Sequence, residues 1–200
     1  MNTIKIGTLA LSLISTAVTA PAATVLTFGG PGYVSQGLIY DYTVGPQGSA
    51  TGWSEYAGQD LVFECRTLGK TAKICFSTYG MGQLAVGSYM DLSSYTNNNP
   101  PYQTPGFNLI NQGKNLPPIV NGWFKVLEIK LNPAAYDYAP LKFAADFIAY
   151  DVNGDYTAGS FRWGSNIPAT PIAQIVIPEV PSSFLLIGAL GLLSCQRRRT

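Results

Sequence analysis

The stretch NGWFKVLEIKL (Asn121–Leu131), followed after a short break by LKFAADFIAYD (Leu141–Asp151), decides the fold class. Neither segment shows apolar residues recurring with the ~3.6-residue period of a helix, and both read as strands, the longest pair in the chain. Working outward, shorter strand signals recur at Thr24–Phe28, Gly37–Val44, Asp60–Thr67, Lys73–Tyr79, Gln83–Met90, Thr157–Trp163 and Ile172–Val176. Breakers such as Gly29-Gly30-Pro31-Gly32 and Pro117-Pro118 separate them. About nine or ten short strands with Gly- and Pro-rich turns predict an all-β fold: a single antiparallel β-sandwich or a jelly-roll-like domain. Thr96–Pro118 is the exception, a long loop with one short strand at Phe107–Ile110; loops of this kind often carry binding function.

Composition agrees. The chain has 200 residues, of which 46% are apolar, 12% aromatic and 12% charged. An ordinary soluble domain has roughly 25% charged residues. Twenty-one glycines and 14 prolines disfavour a helical bundle, while the apolar content suffices for a core. Histidine is absent, which removes His-based triads, most zinc and haem sites and the usual near-neutral general base.

The two ends read as addresses. Residues 1–23 carry Lys5, the apolar run Ile6–Ile14 and the small residues Ala20-Pro21-Ala22-Ala23, the pattern of a secretory signal peptide cut after Ala22 or Ala23. Residues 177–200 open with Ile177-Pro178-Glu179-Val180-Pro181, continue through an uncharged run from Phe184 to Cys195, and close on Arg197-Arg198-Arg199. The apolar run predicts a C-terminal transmembrane helix, shorter than a ~30 Å hydrocarbon core and helped by snorkelling arginines. The arginines act as a membrane stop that stays inside, leaving the body outside. Between the ends lies a β-rich extracellular domain, residues 24–176, with eight basic and ten acidic side chains, so its net charge is −2. Such a body does not steer itself toward nucleic acid.

Pro178, Glu179, Pro181 and Arg197–Arg199 resemble the PEP-CTERM sorting tail: a short Pro-Glu-Pro-like motif, an apolar helix and an arginine-rich end. Here Val180 separates Glu179 from Pro181. The resemblance implies recognition by an exosortase, a membrane-embedded processing enzyme of Gram-negative bacteria. It also implies transient residence in the inner membrane, then the cell surface or a biofilm matrix of exopolysaccharide. The segments Leu84–Tyr89, Phe124–Ile129, Phe143–Phe147 and Gly159–Trp163 resemble a recurrent secreted bacterial module, which implies the fold class and no activity.

Several residues could carry chemistry. Cys65 and Cys75 sit symmetrically about Lys70, so a hairpin turning at Gly69–Thr71 would set them opposite one another as a cross-strand disulfide. An oxidising compartment favours that bridge, worth roughly 2.5–3 kcal/mol; two buried free thiols or a metal site are the alternatives. Asp151–Asp155 alternates oxygen-bearing side chains as calcium loops do, but Arg162 stands where an EF-hand needs glutamate, and Asn153-Gly154 signals a type I′ turn instead. Glu128 and Asp146, on adjacent strands, could form a glycosidase-like pair; out-facing charges partnered by Lys130 and Lys142 explain them as well. Trp53, Tyr56, Tyr95 and Tyr102 fall in predicted loops, where flat rings could stack on sugars. The expectation is therefore a non-enzymatic surface or matrix protein without cofactor, catalytic or metal residues, the alternative being a carbohydrate-binding module that contacts exopolysaccharide.

Overall fold

The computed structural model describes residues 24–44, 48–95, 104–135 and 138–176. The predicted signal peptide, residues 1–23, and the sorting tail, residues 177–200, lie outside the described residues, as do Pro178, Glu179, Pro181, Cys195 and Arg197–Arg199. Among the described residues no helix is long and apolar enough to cross a membrane.

The pair that decided the fold class forms the spine of the molecule. β10 (Ile119–Leu131) runs antiparallel to β11 (Pro140–Asp151), and β11 to β12 (Tyr156–Trp163). β1 (Val25–Gly29) pairs with β12 and carries β2 (Tyr40–Asp41) on its free side. On the other flank β6 (Gly87–Met90) pairs with β10, giving sheet I the order β2-β1-β12-β11-β10-β6.

Sheet II has the order β3-β4-β5-β8-β7, with β9 also on β8. Its strands are β3 (Ser49–Glu55), β4 (Asp60–Thr67), β5 (Lys70–Ser77), β7 (Ser93–Ser94), β8 (Gly106–Asn111) and β9 (Lys114–Asn115). Every pairing is antiparallel except the short one between β7 and β8.

The strand period of two then builds the core. Phe124, Val126, Phe143, Ala145, Phe147 and Phe161 point inward from sheet I. Phe63, Ile74, Phe76, Phe107 and Leu109 meet them from sheet II. Ring centroids interdigitate across the gap: Phe63 lies 4.6 Å from Phe161, Phe76 lies 5.3 Å from Phe124, and Phe107 lies 4.8 Å from Phe147. These contacts make the molecule a β-sandwich. Successive strands stay in one sheet as hairpins (β3–β4–β5 and β10–β11–β12), the connectivity of meanders more than of a jelly roll. A buried polar tie links the layers at one end: the Tyr42 hydroxyl donates to Asn111 Oδ1, and Asn111 Nδ2 donates to the Val34 carbonyl at 2.8 Å.

The expected disulfide does not form. The hairpin turns at Leu68 and Gly69, both at positive φ, and closes on the pair Thr67–Lys70. That turn lies earlier than the predicted Gly69–Thr71, so Cys65 faces Ala72 and Cys75 faces Val62. Positions 62 and 65 are an odd number of residues apart and therefore lie on opposite faces. Cys65 sits in the inter-sheet core and Cys75 on the outer side of sheet II; both thiols are free and buried.

Three other expectations change. Ile172–Val176 is a short helix, α1, not a strand. Pro171 pre-sets its first turn, the Gln174 amide bonds the Pro171 carbonyl, and Ile175 packs on Ile148 and Ala158. Within Gly37–Val44 only Tyr40–Asp41 is strand, because Gln36 and Gly37 turn at positive φ and leave Leu38 and Ile39 exposed. Within Thr96–Pro118, the strand expected at Phe107–Ile110 is present as β8, one residue longer at each end, but it lies in the interior of sheet II and not within a loop; residues 96–103 lie outside the described residues.

Candidate functional site

Both sheets have an outer face, and each face carries a concavity. On sheet II the strand register aligns Trp53, Val62, Cys75 and Asn108 in one row across four strands. Tyr95, just past β7, closes the row and packs with Val62 and Cys75. The hollow beside them measures about 460 Å³ and is edged by Lys73, Glu55 and Ile110. Lys73 Nζ lies 5.2 Å from the Trp53 ring centroid, and the Trp53 indole N–H donates to Glu55 Oε1 at 3.1 Å.

Tyr95 is only 8% exposed, and its hydroxyl donates to Asp60 Oδ2 at 3.0 Å, while the Ser77 hydroxyl donates to Asp60 Oδ1. Burial pushes the Asp60 carboxyl above its ordinary value, with the two hydroxyls opposing, and burial likewise pushes the Tyr95 phenol far up. Tyr95 thus ties sheet II together and is no free stacking platform. Tyr56 stands apart, tilted against Tyr79 with centroids 4.0 Å apart. Tyr102 lies outside the described residues. Of the four aromatic candidates, the structure brings Trp53 and Tyr95 together, and the described ones make no planar row.

The carboxylates Glu128 and Asp146 both sit on the outer face of sheet I. A bulge between Val126 and Glu128 turns Glu128 to that side, opposite Ala144, while Asp146 stands opposite Lys125. Each is already engaged. Asp146 Oδ1 accepts from Arg162 Nη2 at 2.8 Å and Oδ2 from the Thr170 hydroxyl at 2.6 Å. Glu128 accepts from the Ser165 hydroxyl and from Lys142 Nζ at 3.4 Å, and the Ser165 bond, with Lys142, holds its carboxyl below the ordinary value.

Arg162, 2% exposed, also donates to the carbonyls of Ala145, Ile167 and Pro168. Together these groups clamp residues 165–170 as a strap across the outer face. The pair therefore anchors the strap and does not face a common cleft, so the glycosidase-like arrangement is not assembled here.

Asp151 is likewise spent on local structure. Its Oδ1 accepts the amides of Asn153 and Asp155, and the Gly154 amide bonds the Asp151 carbonyl. Gly154 has φ +81° while Asn153 keeps a negative φ, so this is a three-residue loop with a left-handed glycine and not the predicted type I′ turn. Among the described residues no group of three His, Cys, Asp or Glu side chains could hold a metal ion.

The second concavity, about 560 Å³, lies on sheet I between β6, β10, β11 and α1. Trp123 and Tyr150 frame it as half-buried rings around Ile148, which Ile175 of α1 also covers. Gly122 makes the close approach possible: it has φ +145°, and a Cβ there would fall on the Ile148 carbonyl oxygen. Lys125, Ser88 and Gln174 bring exposed polar ends to the rim. Trp123 lies on a strand, outside the aromatic candidates expected in loops. Its signal was available in the alternation of β10: with Phe124 and Val126 facing the core, Trp123 and Lys125 must face out.

Comparison with protein-family models, with curated proteins and with solved structures finds no match to the chain.

Proposed function

We propose that this is an exported, non-catalytic protein of the cell surface or extracellular matrix, delivered by its N-terminal signal and sorted through the PEP-CTERM-like tail. The observation that carries the reading is the ordered run of Pro178-Glu179-Val180-Pro181, an uncharged apolar stretch and Arg197-Arg198-Arg199. The apolar helix would stall in the inner membrane with the arginines inside, while an exosortase-type enzyme reads Pro178–Pro181. Intact mass of the matrix-associated protein tests the reading. Loss of the Arg197–Arg199 end is expected, and a mature species that retains it would overturn processing.

A second reading, contact with exopolysaccharide, is favoured by the aromatic-bearing concavities on both outer faces. Retardation of the protein in gels containing polysaccharide is the expected result, and equal mobility with and without polysaccharide would remove it.

A further inference from the structure

We propose that the groove on sheet I, framed by Trp123 and Tyr150, is a binding site for an acidic saccharide, a sugar chain bearing uronate-type carboxylates. This inference rests on the exopolysaccharide reading and adds to it the face and the ligand class.

Three features of the groove converge. The first is its aromatic frame. Trp123 and Tyr150 project from the two longest strands, so their rings are held by a continuous ladder, and Ile148 between them extends the apolar floor. Apolar C–H faces of a pyranose ring pack against such surfaces, and rings on rigid strands lose little freedom on binding.

The second is unused hydrogen-bonding capacity. The Trp123 indole N–H makes no hydrogen bond among the described residues, in contrast to Trp53, bonded to Glu55, and Trp163, bonded to the Pro140 carbonyl. Gln174 on α1 and Ser88 on β6 also line the groove, both exposed. A hydroxyl-rich ligand would supply partners for all three.

The third is charge. Lys125 is exposed and lies in register with Asp146, yet among the described residues the two form no ion pair. Asp146 gives its two oxygens to Arg162 and Thr170 instead. With Asp146 neutralised by Arg162, the groove retains the positive charge of Lys125 on a body whose net charge is −2. A single uncompensated cation beside stacking rings selects a carboxylated sugar over a neutral one. The sheet II hollow differs in the last two: the neighbouring Trp53 N–H is used, Lys73 lies over the Trp53 ring, and Glu55 stands beside them.

The test is retention of the full-length chain, in mild detergent, on beads carrying polygalacturonate or dextran. Binding to polygalacturonate and not to dextran is expected, weakening as salt rises from about 0.05 to about 0.5 M. Lys125→Gln, at an exposed side chain that the fold does not need, should lower retention at least about threefold with an unfolding midpoint close to the parent's, and Trp123→Ala, at a half-buried ring, at least about tenfold when compared at a temperature where circular dichroism shows both proteins folded.

Equal retention on dextran, or no effect of Lys125→Gln, would overturn the acidic class. Retention lost with Trp53→Ala and kept with Trp123→Ala would move the ligand to sheet II and overturn the site while leaving the glycan reading standing. No retention on either support would remove that reading and this inference together. Protection of Lys125 from acetylation in the absence of any saccharide would assign the groove to the chain's own remaining residues, against the proposal.

Discussion

Replacing Arg162 by alanine should unfasten the strap and destabilise the whole sandwich. The side chain is 2% exposed and links β12 to β11 through Asp146 and the Ala145 carbonyl, and to the strap through the carbonyls of Ile167 and Pro168 and the Thr170 hydroxyl. Truncation leaves Asp146, itself 8% exposed, as a buried carboxylate without its cation, bonded only by Thr170, and strips the carbonyls of Ala145, Phe161, Ile167 and Pro168 of a donor. Breaking a buried pair in this way costs about 3–5 kcal/mol. A domain of this size is stable by roughly 5–15 kcal/mol, so the loss is a large fraction of the total. At ~2–4 °C per kcal/mol the unfolding midpoint should fall by about 6–20 °C.

Circular dichroism melts would read that shift, and limited proteolysis should show new cleavage within residues 164–171 at temperatures well below the midpoint. The double variant Arg162→Met, Asp146→Leu removes the stranded carboxylate and should regain part of the loss, though not the bonds to the strap carbonyls. A fall of less than about 1 kcal/mol for Arg162→Ala, with unchanged protease resistance, would refute the idea that this cation locks the strap.

Three further outcomes follow from named groups. Non-reducing peptide mapping should recover Cys65 and Cys75 as free thiols, unreactive to alkylation until the protein unfolds, since burial raises Cys65 to about 12 and pushes the Cys75 thiol well above its ordinary value; a Cys65–Cys75 bridge would overturn the hairpin register. Asp60 has a folded pKa above its ordinary 3.8, so its contribution is present below that pH and is lost as pH rises through the folded value; Asp60→Asn should flatten that fall in denaturant midpoints, and an unaltered pH profile would contradict the burial argument. Gly122→Ala should destabilise by roughly 1–3 kcal/mol, because its Cβ meets the Ile148 carbonyl at φ +145°; a neutral effect in thermal melts would show that β10 and β11 do not approach as closely as described.

What the chain made legible depended on where the signal was local. Asp60–Thr67 was readable to the residue, and Asn121–Leu131, Leu141–Asp151 and Thr157–Trp163 to within two, because their β-branched and aromatic side chains supply both propensity and burial. β3 carries no such signal: Ser49–Glu55 is mostly small and polar, and it becomes a strand by pairing over its own whole length with β4. The thiols show how thin the margin is. A hairpin turn displaced by one or two residues exchanges faces, so a spacing that looks symmetric in the sequence places Cys65 in the core and Cys75 on the outside.

By itself the sequence determined the β class, the scarcity of charge, the absence of histidine chemistry and the two patterned ends, since each follows from composition or from order along the chain. Only the tertiary structure decided which side chains share a face. It spent Asp146 and Glu128 on a strap, drew Tyr95 into a buried hydrogen bond and brought α1 and Trp123 together around Ile148. Those outcomes depend on register, a bulge after Val126 and the return of residues 165–176 over sheet I, which are set by packing between segments far apart in the chain and not by the residues next to them.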